Sequence, residues 1–88
     1  MAGVNADPEK LKQFGKTLSS SADQLQQIAR NLARALESAQ WKDPEGQKFE
    51  QEFKHSLRNL TQFAEQSKSQ YAPRLQKKVA ALEQYRGS

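Results

Sequence analysis

Trp41-Lys42-Asp43-Pro44-Glu45-Gly46 is the stretch that decides how this 88-residue chain folds. Pro44 is poorly tolerated inside a helix, and it drives Asp43 out of helical dihedrals. Asp43 is then free to cap the backbone N–H groups of a new helix. Pro44 suits the first helical position, and Glu45 suits the positive end of the helix dipole. The same device stands at Asp7-Pro8-Glu9, after a short lead over residues 1–6 that reads as unstructured. Two identical starts predict a first helix over about 8–40, a turn at 41–45 and a second helix over about 46–84. A connection this short implies antiparallel neighbours. The chain therefore reads as one all-α domain, 1–88, built as a two-helix hairpin.

Hydrophobic spacing on both sides of the turn agrees. Before it, Leu11, Phe14, Leu18, Ser21, Leu25, Ile28, Leu32, Ala35 and Ala39 follow one another in steps of three and four. That is the seam of a coiled-coil-like helix. Ala22, Ala29, Ala33 and Leu36 widen the stripe enough to meet more than one neighbour. After the turn the seam reads Phe49, Phe53, Leu57, Leu60, Ala64 with Phe63 beside it, Ser67, Tyr71, Leu75, Val79 and Leu82. Fours cluster around Tyr71, close to Pro73, where a kink or short break is expected because proline removes a donor and crowds the preceding turn. Gln66 to Gln70, the most polar part of the seam, is expected to pack least well. Helices of roughly 33 and 38 residues extend about 50–57 Å. Two such rods meet along one seam only, so stripes this wide predict a second hairpin and a four-helix bundle.

Composition narrows the function. There is no cysteine, so disulfides and thiolate metal sites are excluded, and His55 is the only histidine. Small domains without such staples commonly gain stability from a partner. Mean hydropathy is −0.98, and no run approaches the ~20 apolar residues of a membrane span. The first 30 residues hold no cleavable signal peptide pattern, so synthesis in the cytoplasm is expected. Residues 1–40 carry five basic and four acidic side chains, and residues 41–88 carry nine and six. Part of the second excess sits in Arg74, Lys77 and Lys78. A solvated helix face explains that cluster better than a phosphate-binding site, since no aromatic interleaves it and no nucleic-acid motif surrounds it.

No enzyme emerges from the same residues. Asp and Glu sit beside Lys and Gln on polar faces, and His55 reads as exposed between Phe53 and Leu57. Glycine-rich phosphate loops, nucleophile elbows and clustered metal ligands are missing, so no catalytic, metal or cofactor residue is assigned. Ser19-Ser20-Ser21 reads as a small-residue patch that lets helices approach, and Asn59-Leu60-Thr61 as a chance glycosylation pattern inside a helix. Trp41 is a large apolar plug for the turn end, and aromatic residues at a tip also serve as binding anchors.

Trp41-Lys42-Asp43, followed by Gly46, Phe49 and Phe53, resembles the hinge of the WXG family, small bacterial proteins that include the early secreted antigens and their heterodimeric partners. The resemblance extends to Val4-Asn5-Ala6-Asp7-Pro8-Glu9-Lys10-Leu11 and to the length and turn position of the whole chain. It implies a helical hairpin that pairs into a four-helix bundle, with itself or with a related chain, and export by a type VII secretion route. Two departures stand out. Asp43 occupies the glycine position, making a Trp-X-Asp variant in which a helix cap replaces a flexible residue. The family's export signal, a tyrosine followed four positions later by Asp or Glu, is missing: Tyr71 meets Leu75, and Tyr85 has too few residues after it.

The leading expectation is thus a WXG-like interaction module, acting as a secreted dimer or as the co-secreted partner of a larger protein. Its turn motif is Trp41, Asp43, Gly46 and Phe49. Its hairpin and dimer interface comprises Leu11, Phe14, Leu18, Leu25, Ile28, Leu32 and Leu36 against Phe53, Leu57, Leu60, Phe63, Ala64, Leu75 and Val79. A helical scaffold or adaptor with no secretion role is the alternative. Binding of nucleic acid or a membrane surface through the basic second helix ranks below both.

Overall fold

A computed structural model describes residues 6–87. The chain runs as α1 (Pro8–Ala39), α2 (Pro44–Gln66), a π-helical turn (Ser67–Tyr71) and α3 (Ala72–Gly87). α1 packs against α2 and, beyond the π turn, against α3. The result is a hairpin measuring 66 × 19 × 17 Å. Most of the lead over residues 1–6, and Ser88, lie outside the described residues.

Both helix starts use the proline device. Asp7 Oδ1 accepts the Glu9 N–H at 2.9 Å, and Asp43 Oδ1 accepts the Gly46 N–H at 2.8 Å. α2 begins at Pro44, two residues before the expected 46. At the other side of the turn, Gln40 closes α1 in the left-handed region (φ 52°, ψ 40°), its N–H donating to the Glu37 carbonyl. Glycine is the usual residue there, so the residue type carried no signal for this left-handed cap.

The buried seam lies beside the expected one on α1. Ala22 and Ala29 are buried, and Gly15, Leu18, Leu25 and Leu36 are half-buried. Contact with the second arm therefore follows Leu11, Gly15, Leu18, Ala22, Leu25, Ala29 and Leu36, and Leu32, expected in the seam, stands 41% exposed. Phe14 and Ile28, expected in that seam, stand 54% and 47% exposed. The physical reason is size: glycine and alanine let two backbones approach closely, and a helix turns its small residues toward the nearer neighbour. On the second arm the seam runs Phe53, Leu57, Leu60, Ala64, Ser67, Ala72, Leu75, Val79 and Leu82, with Ala64, Ser67, Ala72 and Val79 buried.

Pro73 does not break the helix. The irregularity falls just before it, where the Ala72 N–H reaches back five residues to the Ser67 carbonyl. A π turn holds one extra residue, so the seam steps from Ala64 to Ala72, eight residues instead of seven. Tyr71, expected in the seam, is displaced from it by Ala72. The polar stretch Gln66–Gln70, expected to pack poorly, contains the fully buried Ser67, whose hydroxyl donates to the Phe63 carbonyl at 2.8 Å. Ser69 does the same to Glu65, also at 2.8 Å. These hydroxyls supply hydrogen bonds where the helical ladder changes step.

Candidate docking face

The chemistry of this molecule lies in what its two arms leave uncovered. Eight large apolar side chains are exposed among the described residues: Phe14, Ile28, Leu32, Trp41, Phe49, Phe63, Tyr71 and Tyr85. Their spacing puts them together. Phe14 and Ile28 are two heptads apart on α1, and Phe49 and Phe63 are two heptads apart on α2. The π turn adds one residue, so the same row continues through Tyr71 and Tyr85. In an antiparallel pair such flanking rows lie on one side of the seam. The two rows meet where Phe14 and Leu18 of α1 line a groove of about 340 Å³ with Phe63, Tyr71, Arg74 and Leu75.

The opposite side differs. There Gln26, Arg30, Lys54, Arg58, Gln62 and Glu65 surround Ala29, Leu57 and Thr61. Nearer the open end, small residues such as Gly15, Ser19 and Ala72 leave a groove of about 480 Å³. Lys12 bridges across to Glu83 at 2.6 Å. That hydrogen bond raises the Lys12 pKa above its ordinary 10.5. Lys68 pairs with Asp23 from the other arm.

At the turn, Trp41 is 39% exposed and rests against the first turn of α2. A Cβ at Gly46 would stand 2.6 Å from Trp41 Cγ and would collide with the Trp41 carbonyl oxygen. Gly46 is therefore the seat of the indole. The ring leans on Phe49, with centroids 5.4 Å apart. Phe49 in turn stacks on Phe53 at 5.5 Å and 16°. The turn motif thus forms the start of the apolar row rather than a separate plug.

The other expected interface residues divide between two roles. Leu11, Leu18, Leu25, Leu36, Phe53, Leu57, Leu60 and Leu75 are half-buried along the seam, Ala64 and Val79 are buried, and Leu32 is exposed with Phe14, Ile28 and Phe63. Arg74 lines the same groove as Tyr71, three residues before it. Lys77, Lys78 and His55 are exposed. Among the described residues, no group of three His, Asp or Glu side chains could hold a metal ion, and no helix is long and apolar enough to cross a membrane. No family model matches the chain, and no curated protein or solved structure matches it.

Proposed function

We propose that this chain is a helical-hairpin interaction protein of the WXG type, which docks its apolar face onto a second helical hairpin to complete a four-helix bundle. One observation carries the reading: by their spacing the exposed Phe14, Ile28, Phe49, Phe63, Tyr71 and Tyr85 fall in rows on one side of the hairpin, Phe14, Phe63 and Tyr71 line one groove there, and Trp41 leans on Phe49 at the turn. Apolar surface gathered in one patch marks an interaction site, whereas scattered apolar residues are ordinary. Surface area points the same way. The chain exposes 6921 Å², against roughly 5,200 Å² for a compact monomer of this mass.

The assembled bundle would serve as a substrate or co-secreted partner in a type VII-like route. The seating of Trp41 on Gly46 gives the Trp-X-Asp hinge a structural reason and supports the resemblance. Tyr71 lies in the π turn on the docking face and meets Leu75 where the export signal needs an acid.

Sedimentation of the wild-type chain, alone and with any hairpin encoded beside it, tests the docking reading. Wild type is expected in an assembly heavier than its 10.0 kDa monomer. Phe63→Glu should be monomeric with unchanged helicity, because Phe63 lies outside the buried seam. A wild-type chain that stays monomeric and binds no helical hairpin overturns the proposal.

A further inference from the structure

Charge is divided unevenly along the rod. Lys68 meets Asp23 of the other arm, and that contact marks one level on both arms. From it to the open end, residues 1–23 and 68–88 carry eight basic and four acidic side chains. Toward the turn, residues 24–67 carry six of each, so the whole net charge of +4 arises in the open half. Lys12 pairs there with Glu9 and Glu83, and Lys68 with Asp23. Lys10, Lys16, Arg74, Lys77 and Lys78 are exposed and, among the described residues, have no acidic partner. Cations clustered at one end of a small basic domain are the electrostatic footprint of a polyanion site.

We infer that the open half binds single-stranded nucleic acid, with phosphates held by Arg74, Lys77, Lys78, Lys10 and Lys16 and bases stacked on Tyr71 and Tyr85. Strand binding needs no second hairpin and stands apart from docking. Along the linear sequence no aromatic interleaves the basic cluster; the fold supplies two. Tyr71 and Arg74 line one groove. Lys78 follows Arg74 by four residues and Tyr85 follows Lys78 by seven, which keeps all three on one side of α3. The Tyr85 ring is 75% exposed. Cations alternating with open aromatic faces grip a strand without reading its sequence, because every base offers a face to stack.

The cations are spread round the rod, which selects a flexible strand over flatter polyanions. Arg74 and Lys77 border the outer side of α3 with Gln70, Pro73 and Gln76. Arg74 also reaches the aromatic side, and Lys16 borders the opposite groove with Gly15 and Ser19. A bilayer or a stiff duplex meets one side of a rod 19 × 17 Å thick, whereas a flexible strand can wrap it and touch all three. Apolar placement agrees. A helix that seats in a membrane surface sets its Trp and Phe beside its Lys and Arg; here Trp41, Phe49 and Phe53 stack together at the neutral end.

Anisotropy of a fluorescein-labelled oligothymidylate of about 20 nucleotides, titrated with the full chain, tests this. Wild type should bind at roughly micromolar strength in about 25 mM salt and weaken steeply as salt rises. Arg74→Gln, Lys77→Gln and Lys78→Gln together should weaken binding at least tenfold and reduce the log–log salt slope by about two. Arg34→Gln, Lys42→Gln and Lys48→Gln, which remove the same charge from the turn half, should change affinity less than twofold. Tyr85→Ala should weaken binding about tenfold with the salt slope unchanged, a pattern that lost charge does not give; circular dichroism checks that helicity is kept. Phe63→Ser, which weakens docking without altering charge, should bind the strand at least as well as wild type. No binding by wild type or Phe63→Ser in about 25 mM salt overturns the proposal, and so does an equal loss from the two triple variants. Tighter binding to duplex DNA, to phosphatidylserine vesicles or to polyglutamate than to the oligothymidylate assigns the open half a different partner and overturns it as well.

Discussion

At the scale of one residue, Gly46 is where sequence and structure inform each other most. Within a helix, glycine to alanine ordinarily gains up to about 1 kcal/mol. Here the added methyl would meet the Trp41 ring at 2.6 Å and press on its carbonyl oxygen. The chain must then displace the indole or open the turn, and overpacking of this kind costs roughly 1–3 kcal/mol. Gly46→Ala is therefore expected to destabilise the hairpin. Urea unfolding followed by fluorescence reports it well, because Trp41 is the sole tryptophan. A gain in stability with an unshifted emission maximum would show that the indole does not rest on Gly46. The sequence marked Gly46 only as part of a resemblance. Its reason stayed hidden because a missing Cβ matters only once the path that returns Trp41 to it is known. Gln40 was equally silent, since its left-handed backbone (φ 52°) has no counterpart in its residue type. The caps Asp7 and Asp43 were legible because capping is local, involving a side chain and an N–H two or three residues away.

At the scale of the element, the π turn shows why a hydrophobic pattern can be read correctly and still be placed one residue off. The clustering of fours near Tyr71 was visible, and it was the trace of an extra residue. Spacing and size alone put Tyr71 in the seam. Ala72 holds that place because the close arms accept only a small side chain. Had the helix continued without the insertion, Tyr71, Arg74 and Lys78 would have replaced Ala72, Leu75 and Val79 between the arms. Likewise, α1 was expected to bury Phe14 and Ile28, whereas Ala22 and Ala29 made the closer contact. Pattern alone cannot choose between adjacent rows when both are apolar, and that choice also separates seam from docking face. Two pressures set the turn, the eight-residue spacing and the proline. Deleting Gln70 alone closes the spacing to seven but leaves Pro73 inside a regular α-helix, at a cost of about 3 kcal/mol. Deleting Gln70 in a Pro73→Ala background removes both and should raise the urea midpoint above wild type. If the single deletion proves neutral, the proline is not what positions the π turn.

At the scale of the whole molecule, the hairpin is a rod with little interior. Its radius of gyration is 19.3 Å, where a compact domain of this length would have about 12 Å. The buried apolar side chains along the seam are Ala22, Ala29, Ala64, Ala72 and Val79, which supply little transfer free energy. Leucines 18, 25 and 60 are half-buried, with their outer sides turned to the face that carries Phe14, Ile28 and Phe63. On the proposed docking, much of the apolar burial available to this sequence lies between molecules, and association should add to the stability of the hairpin. Coupling of that kind makes the thermal midpoint depend on protein concentration, since mass action stabilises the associated form. Each tenfold rise in concentration should contribute about 1.4 kcal/mol per mole of dimer. Melting the wild-type chain at 2, 20 and 200 μM should raise the midpoint at each step. Phe63→Glu, lacking the central aromatic contact, should melt lower and at one temperature throughout. Added salt screens exposed charge pairs and leaves apolar burial in place, so the wild-type midpoint should fall modestly between 0.05 and 0.5 M salt while its concentration dependence persists. A midpoint identical across that hundredfold range, from a species of monomer mass, would mean the small seam suffices to hold the hairpin and the apolar face contributes nothing to its stability.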